Sequence, residues 1–217
     1  MHYIRKKLSP DFFESEKSQQ SFKDDPAWNN LHCKTQLRFH LMNEQNQLCI
    51  YCERQIDENN THIEHILAQT DNPQLRFNYS NLVVSCNGDQ CKPIVKDKYQ
   101  PKNVHSCGHK KDDDLDIDKF LNPVKDVNIK KYFSYNKTTC AICCSGKEST
   151  KANYTINLLN LDNPRLNNER FNARSALQTV LKQTTNIKHR KLKLSWLLSK
   201  KDRAFTSFLN NYFKPVL

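Results

Sequence analysis

Glycine is nearly absent from this chain, with three residues among 217. So few argue against a fold built from tight hairpins, which use glycine wherever φ must be positive. Apolar residues are also scarce, at 37%, against roughly 45–50% counted with glycine in ordinary globular domains. A single large apolar core is therefore not expected, and something besides hydrophobic burial is expected to help hold the fold. No stretch reaches the ~20 apolar residues of a membrane-spanning helix, and the opening MHYIRKKLSPDFF has no signal-like apolar run. The expectation is a cytoplasmic protein with no membrane partner. Acidic residues are outnumbered by Lys and Arg, 23 to 34, for a net charge of +11. That balance suits an anionic partner, of which nucleic acid is the commonest, and suits a solvated lysine-rich surface equally well.

What the chain does have is cysteine, nine in all, at positions 33, 49, 52, 86, 91, 107, 140, 143 and 144. In a reducing compartment, clustered thiols bind metal more often than they form disulfides. Cys49 and Cys52 form a C-x-x-C knuckle, in which two thiolates can face one Zn²⁺. A closed structural site needs four ligands. Cys86 follows an apolar segment and Cys107 closes a polar insertion, so the expected set is Cys49, Cys52, Cys86 and Cys107, with Cys91 the alternative to Cys107. Cys140, Cys143 and Cys144, in TTCAICCSG, could make a second knuckle, but no fourth ligand stands out.

The local patterns predict an α+β chain. LSPDFFESEKSQQSF reads as a helix with Ser9 as N-cap and Pro10 in the first turn, and residues 27–46 read as a second helix. THIEHIL alternates and is β-branched, and YSNLVVSC is short and apolar, so both read as strands. Residues 87–105 are polar and punctuated by proline, which marks a loop. IKKYFSYN reads as a strand, and the pattern turns helical from about residue 150. This divides the chain into an N-terminal helical segment (1–46), a core (47–135) carrying the 87–105 insertion, and a basic, mainly helical region (136–217). Residues 182–203 hold eight Lys or Arg and one acid, Asp202. Lys188, Arg190 and Lys191 there are candidates for phosphate contact. Leu192, Leu194, Trp196, Leu197 and Leu198 are interleaved with them, so part of that helix must pack.

In THIEH, strand alternation puts His62 and Glu64 on one face and His65 on the other, unless the strand ends there. The two histidines and two knuckle cysteines are then not one ligand set. A carboxylate beside a histidine at a strand end suits other work: Glu64 to hold a cation, and His65 to activate water.

The separated motifs C49-x2-C52, I63-E64-H65-I66, N81-L82-x3-C86 and C107-G-x-x-K111 resemble the HNH (ββα-metal) endonucleases of the cysteine-supported kind. FLNPVKDVNIKKYFSYN and TINLLNLDNPRLNNERFNAR extend the resemblance to the PtuB-type HNH subunits of Septu and retron-associated anti-phage systems. It covers most of residues 1–175. The resemblance implies a small zinc-stabilised ββα-metal core with helical extensions at both ends. It implies a nuclease using Mg²⁺ or Mn²⁺ on DNA, or on RNA such as tRNA, in complex with a PtuA-like ATPase. In retron versions it also implies a reverse transcriptase with its msDNA. His65 is implied as general base, Asn81 as the residue whose carbonyl holds the other imidazole nitrogen, and Glu64 as a metal ligand. The third HNH position falls on Gly108, which cannot ligate. His109 is the nearest substitute, Asp112 a weaker one, and His62 an extra histidine that could face the cation. Lys110 and Lys111 are expected to bind flanking phosphates. The rival reading is a zinc module with a degraded site that only binds a partner or nucleic acid, and Gly108 is the residue that favours it.

Overall fold

The computed structural model describes residues 1–88, 101–111, 115–147 and 149–214. Cys91, Asp112 and most of the 87–105 insertion lie outside the described residues. Helices and two small antiparallel sheets make an α+β fold. The N-terminal segment contains α1 (Asp11–Ser18), α2 (Gln20–Asp24) and α3 (Lys34–Glu44). The first sheet pairs β1 (Thr61–His65) with β2 (Leu82–Cys86), in a register that sets Thr61 against Cys86 and His65 against Leu82. Two short helices follow, α4 (Pro101–Val104) and α5 (Gly108–Lys111). The second sheet pairs β3 (Phe133–Tyr135) with β4 (Ile142–Cys144). The chain then runs through α6 (Ser149–Leu158), α7 (Pro164–Lys182), α8 (Ile187–Leu198) and α9 (Thr206–Phe213).

Both N-terminal helices depart from the pattern reading. The first is capped by Pro10, not Ser9, and is broken at Gln19, whose backbone is extended. The Pro10 carbonyl accepts the N–H groups of Phe13 and Glu14, so no side-chain cap is present. The second starts late: Trp28–Asn30 form a 3₁₀ turn and the α-helix begins at Lys34. The Glu16 carboxylate explains the delay. It accepts the backbone N–H groups of His32 and Cys33 just ahead of α3, the latter at 2.8 Å. Burial alone would push the Glu16 carboxyl up, but the donors on Cys33 and His32 outweigh it and hold it below its ordinary value. A carboxyl depressed on folding contributes stability above its unfolded pKa and loses it as the pH falls through the folded one. Glu16→Gln should therefore cost about 1–2 kcal/mol at pH 7 and progressively less towards pH 3, as read by denaturant unfolding at the two pH values.

α3 ends in a clamp. The buried Gln45 side chain donates to the carbonyls of Leu48 and Val84, and its oxygen accepts the Val84 N–H at 2.8 Å. Asn46 and Gln47 turn the chain in the left-handed region, φ 53° and 60°. The cysteine knuckle is thereby laid against β2, where the Ile50 N–H reaches the Val84 carbonyl. Knuckle residue Glu53 is buried and ties both ends of the chain to it. Its carboxylate meets the Met1 ammonium at 3.1 Å and accepts the Ser207 N–H at 2.7 Å.

The expectation of no single core does not hold. One connected cluster of buried side chains runs from Met1 to Phe213 and encloses all four knuckle-set cysteines. The apolar residues are few but well placed: every residue of β2 is buried, as are Leu37 and Leu41 of α3 and Phe208, Leu209 and Phe213 of α9.

The C-terminal helices start as asparagine-rich sequence allows. Asn163 caps α7 by accepting the Leu166 N–H at 3.0 Å, with Pro164 in the first turn, and Asn186 caps α8 through His189. Leu194, Leu197 and Leu198 of α8 are buried, while Leu192 and Trp196 remain exposed, at 69% and 57%. TTCAICCSG is a hairpin end rather than a metal knuckle. Asn136 accepts the N–H groups of Thr138 and Thr139, and Cys140 is buried with φ 60°. Cys143 is exposed, and Arg170 of α7 donates to the Cys140 carbonyl. No helix is long and apolar enough to cross a membrane among the described residues.

Candidate functional site

The cysteines come together as expected. Cys49, Cys52, Cys86 and Cys107 are all buried, with ligand atoms within 4.8 Å of one another. A tetrahedron with Zn–S bonds of about 2.3 Å has edges of about 3.8 Å, and Cys52 Sγ lies 3.8 Å from Cys86 Sγ. The Cys86 N–H donates to Cys49 Sγ at 3.3 Å, a contact that favours a thiolate. Burial would raise the Cys49 thiol, but hydrogen bonds from Cys107, Cys52 and Cys86 bring it well down. The residues fit a metal such as zinc. Two of them come from the knuckle, one from the end of β2, and Cys107 from a left-handed residue (φ 64°) immediately before α5.

The same strands build a second cluster beside it. His62 and Glu64 share one face of β1, as alternation requires, with His62 Nε2 3.4 Å from Glu64 Oε2. The other carboxylate oxygen is already engaged: the Tyr51 hydroxyl donates to Oε1 at 3.1 Å and Lys111 Nζ sits 3.2 Å away. Burial pushes the Glu64 carboxyl up, but His62 and Lys111 outweigh it and keep the group ionised. His109 stacks on His62, centroids 4.1 Å apart at 18°. It does not complete a three-ligand set: among the described residues, the cysteines alone bring three or more such atoms within 4.8 Å.

Two expectations need correction. Asn81 does not hold the His65 imidazole. Its amide oxygen accepts the Leu67 N–H at 2.8 Å, and its nitrogen donates to the carbonyls of Leu67 and Leu75, so it pins the loop between β1 and β2. The imidazole is held instead by the Arg76 carbonyl, 2.9 Å from Nε2, and packs edge-on against Trp28. Lys111 is not a surface phosphate contact. It is 2% exposed, pairs with Glu64 and donates to the His65 carbonyl. Its neighbour Lys110 is exposed, as are Lys188 and Lys191, while Arg190 is half-buried and donates to the Thr184 carbonyl. Sequence reasoning missed Tyr51, inside the knuckle, and Ser85, whose hydroxyl accepts the Gly108 N–H at 3.0 Å beside Cys49. Neither carries a periodic or spacing signal.

No family model matches the chain. Two curated proteins do. One, described as "Retron Vc95 putative HNH endonuclease" from Vibrio cholerae serotype O1 biovar El Tor, is 30% identical over 152 residues, covering 67% of this chain and 66% of that protein. The chain belongs to the HNH nuclease family of the retron and PtuB type. Septu protein PtuB of Bacillus thuringiensis is 25% identical over 166 residues, 75% of this chain and 55% of PtuB. The chain therefore spans just under two thirds of the first relative and little more than half of the second.

For a PtuB-type chain the glycine at the third HNH position needs a reason, and the geometry supplies one. A Cβ on Gly108 would lie 2.5 Å from Glu64 Oε2 and 2.8 Å from His62 Nε2. The start of α5 rests directly on the facing His62 and Glu64 side chains. A larger residue would occupy the space in front of them.

Proposed function

We propose that this chain is a metal-dependent endonuclease that hydrolyses phosphodiester bonds of nucleic acid, with β1, β2 and α5 serving as its ββα-metal core. The observation that carries this reading is the state of His65. Its Nε2 faces a backbone carbonyl, which can only accept, so Nε2 bears the proton and Nδ1 keeps its lone pair. Burial lowers the imidazole below its ordinary value, so it stays neutral and able to take a proton from water near pH 7. His65 is the last residue of β1, next to Glu64, whose charge acts on the ring. His62 Nε2 and Glu64 Oε2, two electron-pair donors 3.4 Å apart, suit a Mg²⁺ or Mn²⁺ ion with open positions for water and phosphate. Such an ion would neutralise charge on the leaving oxygen. Asn81 contributes by fixing the loop that carries the Arg76 carbonyl. Zinc in the four-cysteine cluster would hold β2 and α5 in register with the knuckle.

The retron and Septu relatives support a role in anti-phage defence, with a PtuA-like ATPase as partner, and in a retron setting a reverse transcriptase with its msDNA. Exposed Lys110, Lys188 and Lys191 offer the phosphate contacts. The test is cleavage of duplex DNA, single-stranded DNA and tRNA by the purified protein, alone and with its partner, in Mn²⁺ or Mg²⁺. Cleavage of one class is expected, lost on chelation and reduced about 10²-fold or more in His65→Ala. Equal rates for wild type and His65→Ala would overturn the mechanism. Absence of both cleavage and cation binding would leave the binding-module reading.

A further inference from the structure

Asn87, the first residue after β2, touches both histidines of the site. Its side-chain oxygen lies 3.3 Å from His62 Nδ1, and its backbone carbonyl lies 3.1 Å from His109 Nδ1. A carbonyl only accepts, so each Nδ1 must be the donor. The orientation of the Asn87 amide is itself set, because its NH₂ reaches the Asn59 carbonyl at 3.4 Å and so turns the oxygen towards His62. The backbone is also held, with the Asn87 N–H donating to the Asn60 carbonyl at 2.9 Å. Gly88 follows at φ +58°, where a Cβ would fall 2.3 Å from the Ser106 carbonyl oxygen. The turn thus seats Asn87 in a place that a side chain at position 88 would displace.

We infer that Asn87 is a positioning residue: it fixes both stacked imidazoles as their Nδ1–H tautomers, so that His62 Nε2, opposite Glu64, carries a free electron pair for a cation. The inference rests on the nuclease reading for the identity of the site, but the tautomers are a property of the folded chain with no cation at His62 and Glu64. Without the acceptor, His62 is free to carry its proton on Nε2, where it would donate to Glu64 and close the cation position. The two contacts differ in kind. The one to His62 comes from a side chain and can be removed by substitution. The one to His109 comes from the backbone and survives it, which makes His109 an internal control.

Long-range ¹H–¹⁵N NMR of the zinc-loaded protein without added Mn²⁺ or Mg²⁺, at a pH where both rings are neutral, reads each tautomer directly. In the wild type, His62 and His109 should both be Nδ1–H. In Asn87→Ala, His62 should change to a mixture or to Nε2–H while His109 stays as it was. Asn87→Asp, which keeps an acceptor, should retain the wild-type pattern. Mn²⁺ binding, followed by electron paramagnetic resonance, should weaken about 10-fold or more in Asn87→Ala and recover most of the loss in Asn87→Asp. A wild-type His62 already protonated on Nε2, or one unmoved by Asn87→Ala, overturns the inference. Wild-type tautomers as expected with no Mn²⁺ bound would instead overturn the cation site and leave the role of Asn87 in setting the tautomers standing.

Discussion

Cys86→Ser is expected to yield a protein without a cooperative fold at 25 °C, and stripping the metal with a strong chelator should do the same to the wild type. Cys86 is the last residue of β2, opposite Thr61, so it is at once a strand residue and one of four convergent thiols. Its loss leaves three buried thiols without a closed coordination shell. A structural zinc site binds with an apparent ~10–16 kcal/mol, which matches or exceeds the ~5–15 kcal/mol net stability of an ordinary domain. A chain with only 37% apolar residues is expected to have little margin to replace it. The elements that meet at the cluster also carry both ends of the chain, through Glu53 to Met1 and Ser207, so failure there should spread. Metal content by mass spectrometry should read one zinc per chain in the wild type and none in the variant, with loss of near-ultraviolet dichroism. Cys143→Ser, at an exposed thiol of the second sheet, should keep both metal and melting temperature. A Cys86→Ser protein that melts like the wild type would show that the continuous apolar core suffices.

Why the cysteine set was readable in the sequence, and most of the second cluster was not, follows from what each depends on. The knuckle is a local spacing, and Cys86 and Cys107 are marked by their places at the ends of an apolar run and a polar insertion. Strand alternation is equally local, and it put His62 with Glu64 on one face. The partners of those residues are not local. Lys111 looks like one more surface lysine in GHKKDDD until α5 folds back and lays it on Glu64. Asn81 sits where the family pattern places an asparagine, yet a backbone carbonyl five residues earlier takes the imidazole, because the loop from Leu67 to Asn81 closes on itself through the Asn81 amide. The α8 leucines divide the same way. Their spacing shows that some must be buried, but which ones depends on where α7 and α9 lie. Gly108 is the sharpest case. Read along the chain, it is a missing ligand. In three dimensions it is the contact point between α5 and β1.

That contact yields the second large effect, a prediction with the opposite sign to the motif reading. Putting the family's third-position residue back, as Gly108→Asn, should abolish activity rather than improve it. The first added atom alone would meet Glu64 Oε2 at 2.5 Å and His62 Nε2 at 2.8 Å. Neither side chain can step aside cheaply. Glu64 is held through its other oxygen by the Tyr51 hydroxyl and the buried Lys111, and His62 is held by Asn87. Either α5 lifts, which breaks the Gly108 N–H contact to Ser85 beside the cysteine cluster, or the pair turns away and the cation position is lost. Losing the several kcal/mol a metal supplies to the transition state corresponds to a rate decrease on the order of 10³-fold. Gly108→Ala should fall in the same direction by less, since it adds one atom where asparagine adds four. Cleavage rates at saturating Mn²⁺, with melting temperatures taken alongside, separate a blocked site from an unfolded one. An asparagine variant faster than the wild type would mean that the glycine is a lost ligand after all, with room in front of Glu64 that the resting geometry does not show.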